Sequence, residues 1–289
     1  MPIMALSRED IGWSDVVARL NVNAAAFCSL ALALLVAVAM PAVAAHAADL
    51  SARDVTVALH KAAKGERVDF SGKDLSGLDL SDLDFKAANL AHANLYGADL
   101  SGADLSSADL SGARLDRAVL IRANFRGANL SGASILKPSN YSSPEFNLAE
   151  TPVFEGANLK GARISARMDG VNFRNADLSG ARIGPSNMGE EGGMAPSSIM
   201  RYANFSGADL TDADMRDIDF SLSHFVGAKL NGARLTKLDL SSSDFSGADF
   251  TGANLDGSNL TGARLLDAKG LDKTTGLTGT PANFADGMK

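Results

Sequence analysis

From Phe70 to Ile135 an apolar residue returns at every fifth position without interruption: Phe70, Leu75, Leu80, Phe85, Leu90, Leu95, Leu100, Leu105, Leu110, Leu115, Leu120, Phe125, Leu130 and Ile135. A helix brings apolar residues back every 3.6 positions and a strand every second one. A spacing of five excludes both as the basis of this stretch and makes the five-residue unit itself the building block. Two positions before most centres stands Ala, as at Ala88, Ala93, Ala98, Ala103, Ala108 and Ala113, and one position before stands Asp or Asn. The two positions after the centre are small or polar, most often Ser-Gly. A second run, Phe205 to Leu265, keeps the same period, with Met215 among its centres. The alternation predicts that the centre and the Ala face inward, while the Asp or Asn and the Ser-Gly pair face water.

A longer period lies on top of the short one. Phe205, Phe225 and Phe245 recur at twenty residues, and Phe85 and Phe125 are forty apart. This pattern of Ala, Asp or Asn, Leu or Phe and two variable residues resembles the pentapeptide-repeat family, over about two-thirds of the chain. The resemblance implies an all-β solenoid, a right-handed quadrilateral β-helix with four units per coil. Reading Leu148, Phe154, Leu159, Ile164, Met168, Phe173, Leu178, Ile183 and Met200 as the centres between the two runs gives 36 units, or nine coils. That count puts Phe85, Phe125, Phe154, Phe173, Phe205, Phe225 and Phe245 on one side of the square, in ring contact at the strand spacing of roughly 4.8 Å. Only 6% of residues are aromatic, which suits a narrow core of Ala and Leu in which each coil needs only its neighbours.

The same count places three irregularities at one corner, on three successive coils: an insertion near 136–146, a missing residue between Ile164 and Met168, and an insertion near 184–197. Both insertions carry Pro with Gly or Ser, among them Pro138, Pro144, Pro185, Gly192 and Gly193, so both read as exposed loops. A solenoid tolerates corner insertions whether or not they bind anything. They are also where a smooth rod would carry a binding patch. On the side before that corner the outward positions run Arg114, Ser134, Arg163, Arg182, Asp214 and Arg234, with Arg167 and Arg201 on the following side. The candidate patch is therefore Arg114, Arg163, Arg167, Arg182, Arg201 and Arg234, with Tyr141, Glu190 and Glu191 from the insertions. Guanidinium forks suit an anionic ligand or an acidic protein surface; the plainer reading is a solvated face paired with neighbouring Asp.

The ends of the chain read differently. Residues 1–47 place Arg8 and Arg19 ahead of an uncharged run from Asn21 to Ala45 and the small-residue site Ala45-His46-Ala47, the order of a cleaved signal peptide. If residues 21–45 were retained, they would act as a membrane anchor. Residues 48–66 predict a short capping helix: Ser51 and Asp54 have capping-box spacing, Val55, Ala58, Leu59 and Ala62 share a face, and Gly65 supplies the stop. Such a helix covers the open end of the β-helix expected over 67–268. The tail, 269–289, offers Leu271, Leu277 and Phe284 for the other end. The single cysteine, Cys28, falls in the apolar run, so a processed chain has no disulfide, thiol nucleophile or thiolate metal site. His60, His92 and His224 are scattered without a nucleophile or ligand spacing around them, so no enzyme activity, metal or cofactor is expected.

The best-described members of the family that the chain resembles imitate duplex DNA in outline and charge and bind type II topoisomerases. A net charge of -7 agrees with that role; an export signal and an arginine stripe oppose it. The sequence therefore predicts a non-catalytic scaffold, periplasmic or otherwise exported. It would bind a protein, an envelope component or an anionic ligand through a loop-decorated corner, with no direct nucleic-acid contact. A DNA-mimicking topoisomerase binder is the alternative.

Overall fold

A computed structural model divides the chain into two units, Met1–His46 and Ala47–Lys289. The structure describes residues 48–85, 87–142, 147–185 and 198–277, all in the second unit. The expected signal segment, Glu190, Glu191 and the end of the tail lie outside the described residues.

The described part is a right-handed quadrilateral β-helix preceded by a helix. Its repeating contact is a hydrogen bond from the amide of each centre to the carbonyl of the outward residue one coil later: Phe70 to Asn89 at 2.7 Å, Leu75 to Asn94 at 2.8 Å, Leu80 to Asp99 at 2.8 Å and Phe85 to Asp104 at 2.9 Å. These four bonds define four sides, numbered 1 to 4 by the centres Phe70, Leu75, Leu80 and Phe85. At most corners the amide of the next Ala closes a turn onto the preceding centre, as Ala98 does onto Leu95 at 3.1 Å. The residue two after the centre then needs positive φ, which is why Gly recurs there. Centres and Ala are buried throughout, and the Asp or Asn between them is not. Each buried Leu contributes about 1.5–3 kcal/mol.

The register persists across the irregular middle of the chain. Parallel bridges run Asp84, Asp104, Asn124, Val153, Asn172, Asn204, His224, Asp244 and Arg264, so side 4 stacks Phe85, Leu105, Phe125, Phe154, Phe173, Phe205, Phe225, Phe245 and Leu265 in nine coils. From Phe125 to Phe245 six rings form one column, with successive centroids 4.7–5.0 Å apart and planes within 20°. The phenylalanine ruler read from the sequence is the one the chain uses.

On side 2 pairing lengthens from single bridges into short strands. These are β1 (Ser134–Leu136), β2 (Arg163–Ser165), β3 (Arg182–Ile183), β5 (Asp214–Arg216) and β7 (Arg234–Thr236), forming one parallel sheet in that order. On side 3, β4 (Ser198–Ile199) pairs with β6 (Ile218–Asp219). The helix, α1 (Ala52–Lys61), has the capping box expected of it: the Ser51 hydroxyl accepts from the Asp54 amide at 3.2 Å, and the Asp54 carboxylate accepts from the Ser51 amide at 2.9 Å. Val55 and Leu59 bury into the core of the first coil.

Two expectations need correction. Leu148 is not a centre: it is 63% exposed, in a 3-10 turn over Leu148–Glu150. The side 3 position of the fourth coil belongs to Asn140, which is 2% exposed, with Ser139 bridged to Val119. A polar centre fits here because the next coil is one residue short before Met168, and the Asn140 amide donates across the gap to the Arg167 carbonyl at 2.8 Å. The first insertion consequently leaves after Tyr141 and rejoins at Val153, between sides 3 and 4, whereas the missing residue and the second insertion lie between sides 2 and 3. The irregularities occupy two adjacent corners flanking side 3, not one. Where the second insertion leaves, Gly184 has φ 147, and a Cβ there would sit 2.6 Å from the Arg216 carbonyl oxygen, so only glycine lets the coils close.

Ala103→Leu and Ala208→Leu, both at fully buried positions, are expected to overpack the coil and destabilise it by more than about 1 kcal/mol; unchanged thermal unfolding in both would mean these side chains do not face inward. A second expectation concerns acid. The Thr251 hydroxyl, the Asn231 side chain and the Thr251 amide hold the Asp249 carboxyl at about 2, and Asp69 and Asp79 are lowered by hydrogen bonds from Ser71 and Ser81. Unfolded carboxyls titrate near 3.9, so this stabilisation is complete above that pH and is lost as pH falls through the folded values. The melting temperature should be level from about pH 7 to 5 and fall between about pH 4 and 2; a flat profile down to pH 2 would remove the ladder carboxylates from the account.

Candidate functional site

Three of the four sides keep Asp or Asn at most outward positions. Side 1 reads Asp69, Asn89, Asp109, Asn129, Asn158, Asp177, Asp209, Lys229 and Asp249. Side 2 departs from this, and its register brings the sequence-predicted stripe together: Arg114 pairs with Ser134, Ser134 with Arg163, Arg163 with Arg182, Arg182 with Asp214, and Asp214 with Arg234. Arg163 and Arg182 are therefore direct neighbours on successive coils, about 4.8 Å apart along the ladder.

The arginines of the stripe are not equivalent. Arg114 is paired: its Nε lies 2.9 Å from Asp116, and its guanidinium sits over Tyr96 at 4.4 Å from the ring centroid. Asp214 is neutralised by Arg216, whose Nε donates to it at 2.7 Å. Arg163, Arg182 and Arg234 are exposed and have no side-chain acceptor among the described residues. Next to Arg234 lies a shallow cleft of about 330 Å³ lined also by Arg216, Lys237, Asp217 and Asp256.

Arg167, Arg201 and Tyr141 form a different constellation, around a residue the sequence reading did not single out. Asp169 is wholly buried. Arg201 grips its carboxylate with Nε at 3.0 Å, Nη2 at 3.2 Å and its backbone amide at 3.1 Å, and Arg167 adds Nε at 3.2 Å. The Tyr141 hydroxyl donates to the Asp169 carbonyl at 2.9 Å, with the Arg167 guanidinium 5.6 Å from the ring centroid. Burial, then the negative charge of Asp169, pushes the Tyr141 phenol far above its ordinary range, so it remains a donor. This cluster pins the start of the first insertion to the next two coils. Its cations are committed to a structural carboxylate, so of the described residues of the predicted patch Arg163, Arg182 and Arg234 are the ones left to a ligand. The sequence signal for Asp169 was weak: Asp also follows the centre at Asp116 and Asp256, without burial.

Asp169→Asn is expected to lower stability by about 1–3 kcal/mol, because two guanidiniums lose their shared carboxylate, and Tyr141→Phe by about 1 kcal/mol. Denaturant unfolding of both variants checks this; an Asp169→Asn protein as stable as the parent would mean that the cluster fastens nothing.

Among the described residues no group of His, Cys, Asp and Glu is placed to hold a metal ion. A family model for pentapeptide repeats matches eight copies, over residues 66–102, 98–135, 153–184, 197–225, 203–241 and 228–267. No curated protein sequence matches the chain. Among solved structures, HetL from the cyanobacterium Nostoc sp. strain PCC 7120, a pentapeptide repeat protein involved in heterocyst differentiation regulation, is 25% identical over 75% of this chain and 98% of its own, with a TM-score of 0.35. QnrB1, a plasmid-mediated fluoroquinolone resistance protein, is 19% identical over 74% of this chain and 92% of its own, with a TM-score of 0.32. A pentapeptide repeat protein from the Arabidopsis thaliana thylakoid lumen is 35% identical over 39% of this chain and 66% of its own, with a TM-score of 0.23. With superpositions of this size the assignment rests on the repeats themselves: by their number and extent, this chain belongs to the pentapeptide-repeat family.

Proposed function

We propose that this protein is an exported, non-catalytic binding scaffold whose recognition surface is the middle of side 2 and the two corners beside side 3. The observation that carries the reading is the segregation of charge on the rod. In coils three to six, side 1 keeps Asp or Asn at every outward position and side 4 at all but Val153, while sides 2 and 3 replace them with Arg114, Ser134, Arg163 and Arg182, and with Val119, Ser139, Arg167 and Ile199. Both insertions leave the rod within those coils, so the departures from the repeat converge on one region. The exported location rests on the order of residues 1–47. A protein imitating DNA would present anionic outward rows all round, and a row of exposed arginines is opposite in sign to a phosphate backbone.

Cell fractionation with an antibody against the mature chain is the test. Processed protein outside the cytoplasm is expected. An unprocessed chain in the cytoplasm would overturn the export reading and favour the topoisomerase-binding alternative.

A further inference from the structure

We propose that the Arg163 and Arg182 rungs of side 2, continued by Arg234, bind a linear polymer that carries phosphate charge along its backbone. The inference deepens the scaffold reading by naming the chemistry of the partner. Three properties of the face point to it.

The first is the unused charge. Arg163, Arg182 and Arg234 lack acceptors among the described residues, and the first two lie on adjoining coils, so two guanidinium forks face one anion from neighbouring rungs. Side by side they repel, and a shared phosphate removes the repulsion. The choice of Arg over Lys favours planar, two-pronged recognition of phosphate.

The second is the absence of backbone partners. Side 2 is the interior of a continuous parallel sheet, in which amides and carbonyls bond from coil to coil. An acidic peptide laid across it finds no sheet edge to extend, which is how extended peptides usually gain affinity. A polymer whose charges sit on its own backbone needs only the side-chain row.

The third is the flatness of the face. The positions following the central arginine rungs are Ser165 and Gly184, and the aromatic Tyr96 is covered by Arg114. That leaves no free stacking platform of the kind single-stranded nucleic acids use among the described residues of this face. A phosphate polymer without bases therefore fits better than an oligonucleotide.

The test uses the mature chain and three probes of equal charge: a linear polyphosphate, the oligonucleotide dT15 and poly-glutamate. Polyphosphate is expected to bind. With three or four phosphates neutralised, its affinity should fall about 20- to 50-fold between 50 and 200 mM salt. The double variant Arg163→Glu, Arg182→Glu should bind at least tenfold more weakly, whereas Arg174→Glu, Arg264→Glu, an equal charge change on side 4, should bind as the parent does. Equal loss in both double variants, or no loss in the first, would overturn the site. Poly-glutamate binding as tightly as polyphosphate would overturn the phosphate assignment, and dT15 binding tenfold more tightly would put a nucleic acid on this face instead. Circular dichroism of both variants confirms the fold. Absence of polyphosphate binding by a protein that fractionation finds processed and exported would remove this inference and leave the location standing.

Discussion

The hydrogen bond from each centre to the carbonyl one coil later is the constraint on which the rest of the structure depends. It permits no half-steps. Because each unit occupies one side and each side bonds only to the same side above and below, a residue's position modulo twenty decides whether it is buried, on a face or at a corner. That is why a ring column survives two insertions and a deletion. Chain can be added where it leaves the square, but the amide that returns must find its carbonyl, so Phe154 lands on Phe125 and Phe205 on Phe173. Packing then reinforces the bonding, since stacked rings and Ala columns fit only in register.

Most of this was readable from the sequence because the period is short and the buried residues are simple. The Phe positions gave the coil length, and the capping helix announced itself through Ser51 and Asp54. The sequence reading failed where the chain buries a polar group for a local reason. An apolar ruler cannot see Asn140 as a centre, and it substituted Leu148, the nearest apolar residue of about the right spacing. That single error moved the first insertion to the wrong corner. Asp169 was missed for a related reason: its burial follows from the shortened coil before it and from Tyr141 above it, neither of which has a sequence period. The arginine stripe was legible as a row. Which of its members are spent on Asp116 and Asp169 was not, because ion pairing depends on side-chain direction rather than register.

The irregular coils are also the weakest joints of the rod. Coils four to six contain a polar centre whose Oδ1 has no partner among the described residues, a coil shortened by one residue and two departures of the chain, whereas coils one to three and seven to nine are nearly uniform. In a linear array, stability is close to a sum of unit and neighbour terms, so a defect in the middle is tolerated only if something spans it. The Asp169 cluster does so: Arg167 lies on its own coil, Arg201 on the next and Tyr141 on the one before. A buried carboxylate with two half-exposed arginines is an expensive way to join coils if stability were the only requirement, since apolar packing of similar volume is often as good. Its presence beside both insertions fits a region in which the repeat has been given up for the sake of its outer surface.

Such a surface is limited in what it can recognise. In the inner coils the amides and carbonyls of a side are engaged in inter-coil bonds or in the corner turns, and the apolar centres are inside, so a partner meets only the outward position, the pair that follows it and whatever the corners add. Specificity must come from which side chains occupy one row and at what pitch. On side 1 that row is mostly Asp and Asn bonded between coils, as Asn129 is to Asp109 at 3.0 Å, and its Lys229 is paired with Asp209 at 3.1 Å, a ladder largely satisfied by itself. On side 2 the adjacent like charges of Arg163 and Arg182 find no acceptor among the described residues. A row that completes itself repeats indefinitely without a partner; the proposed recognition begins where a row does not complete itself.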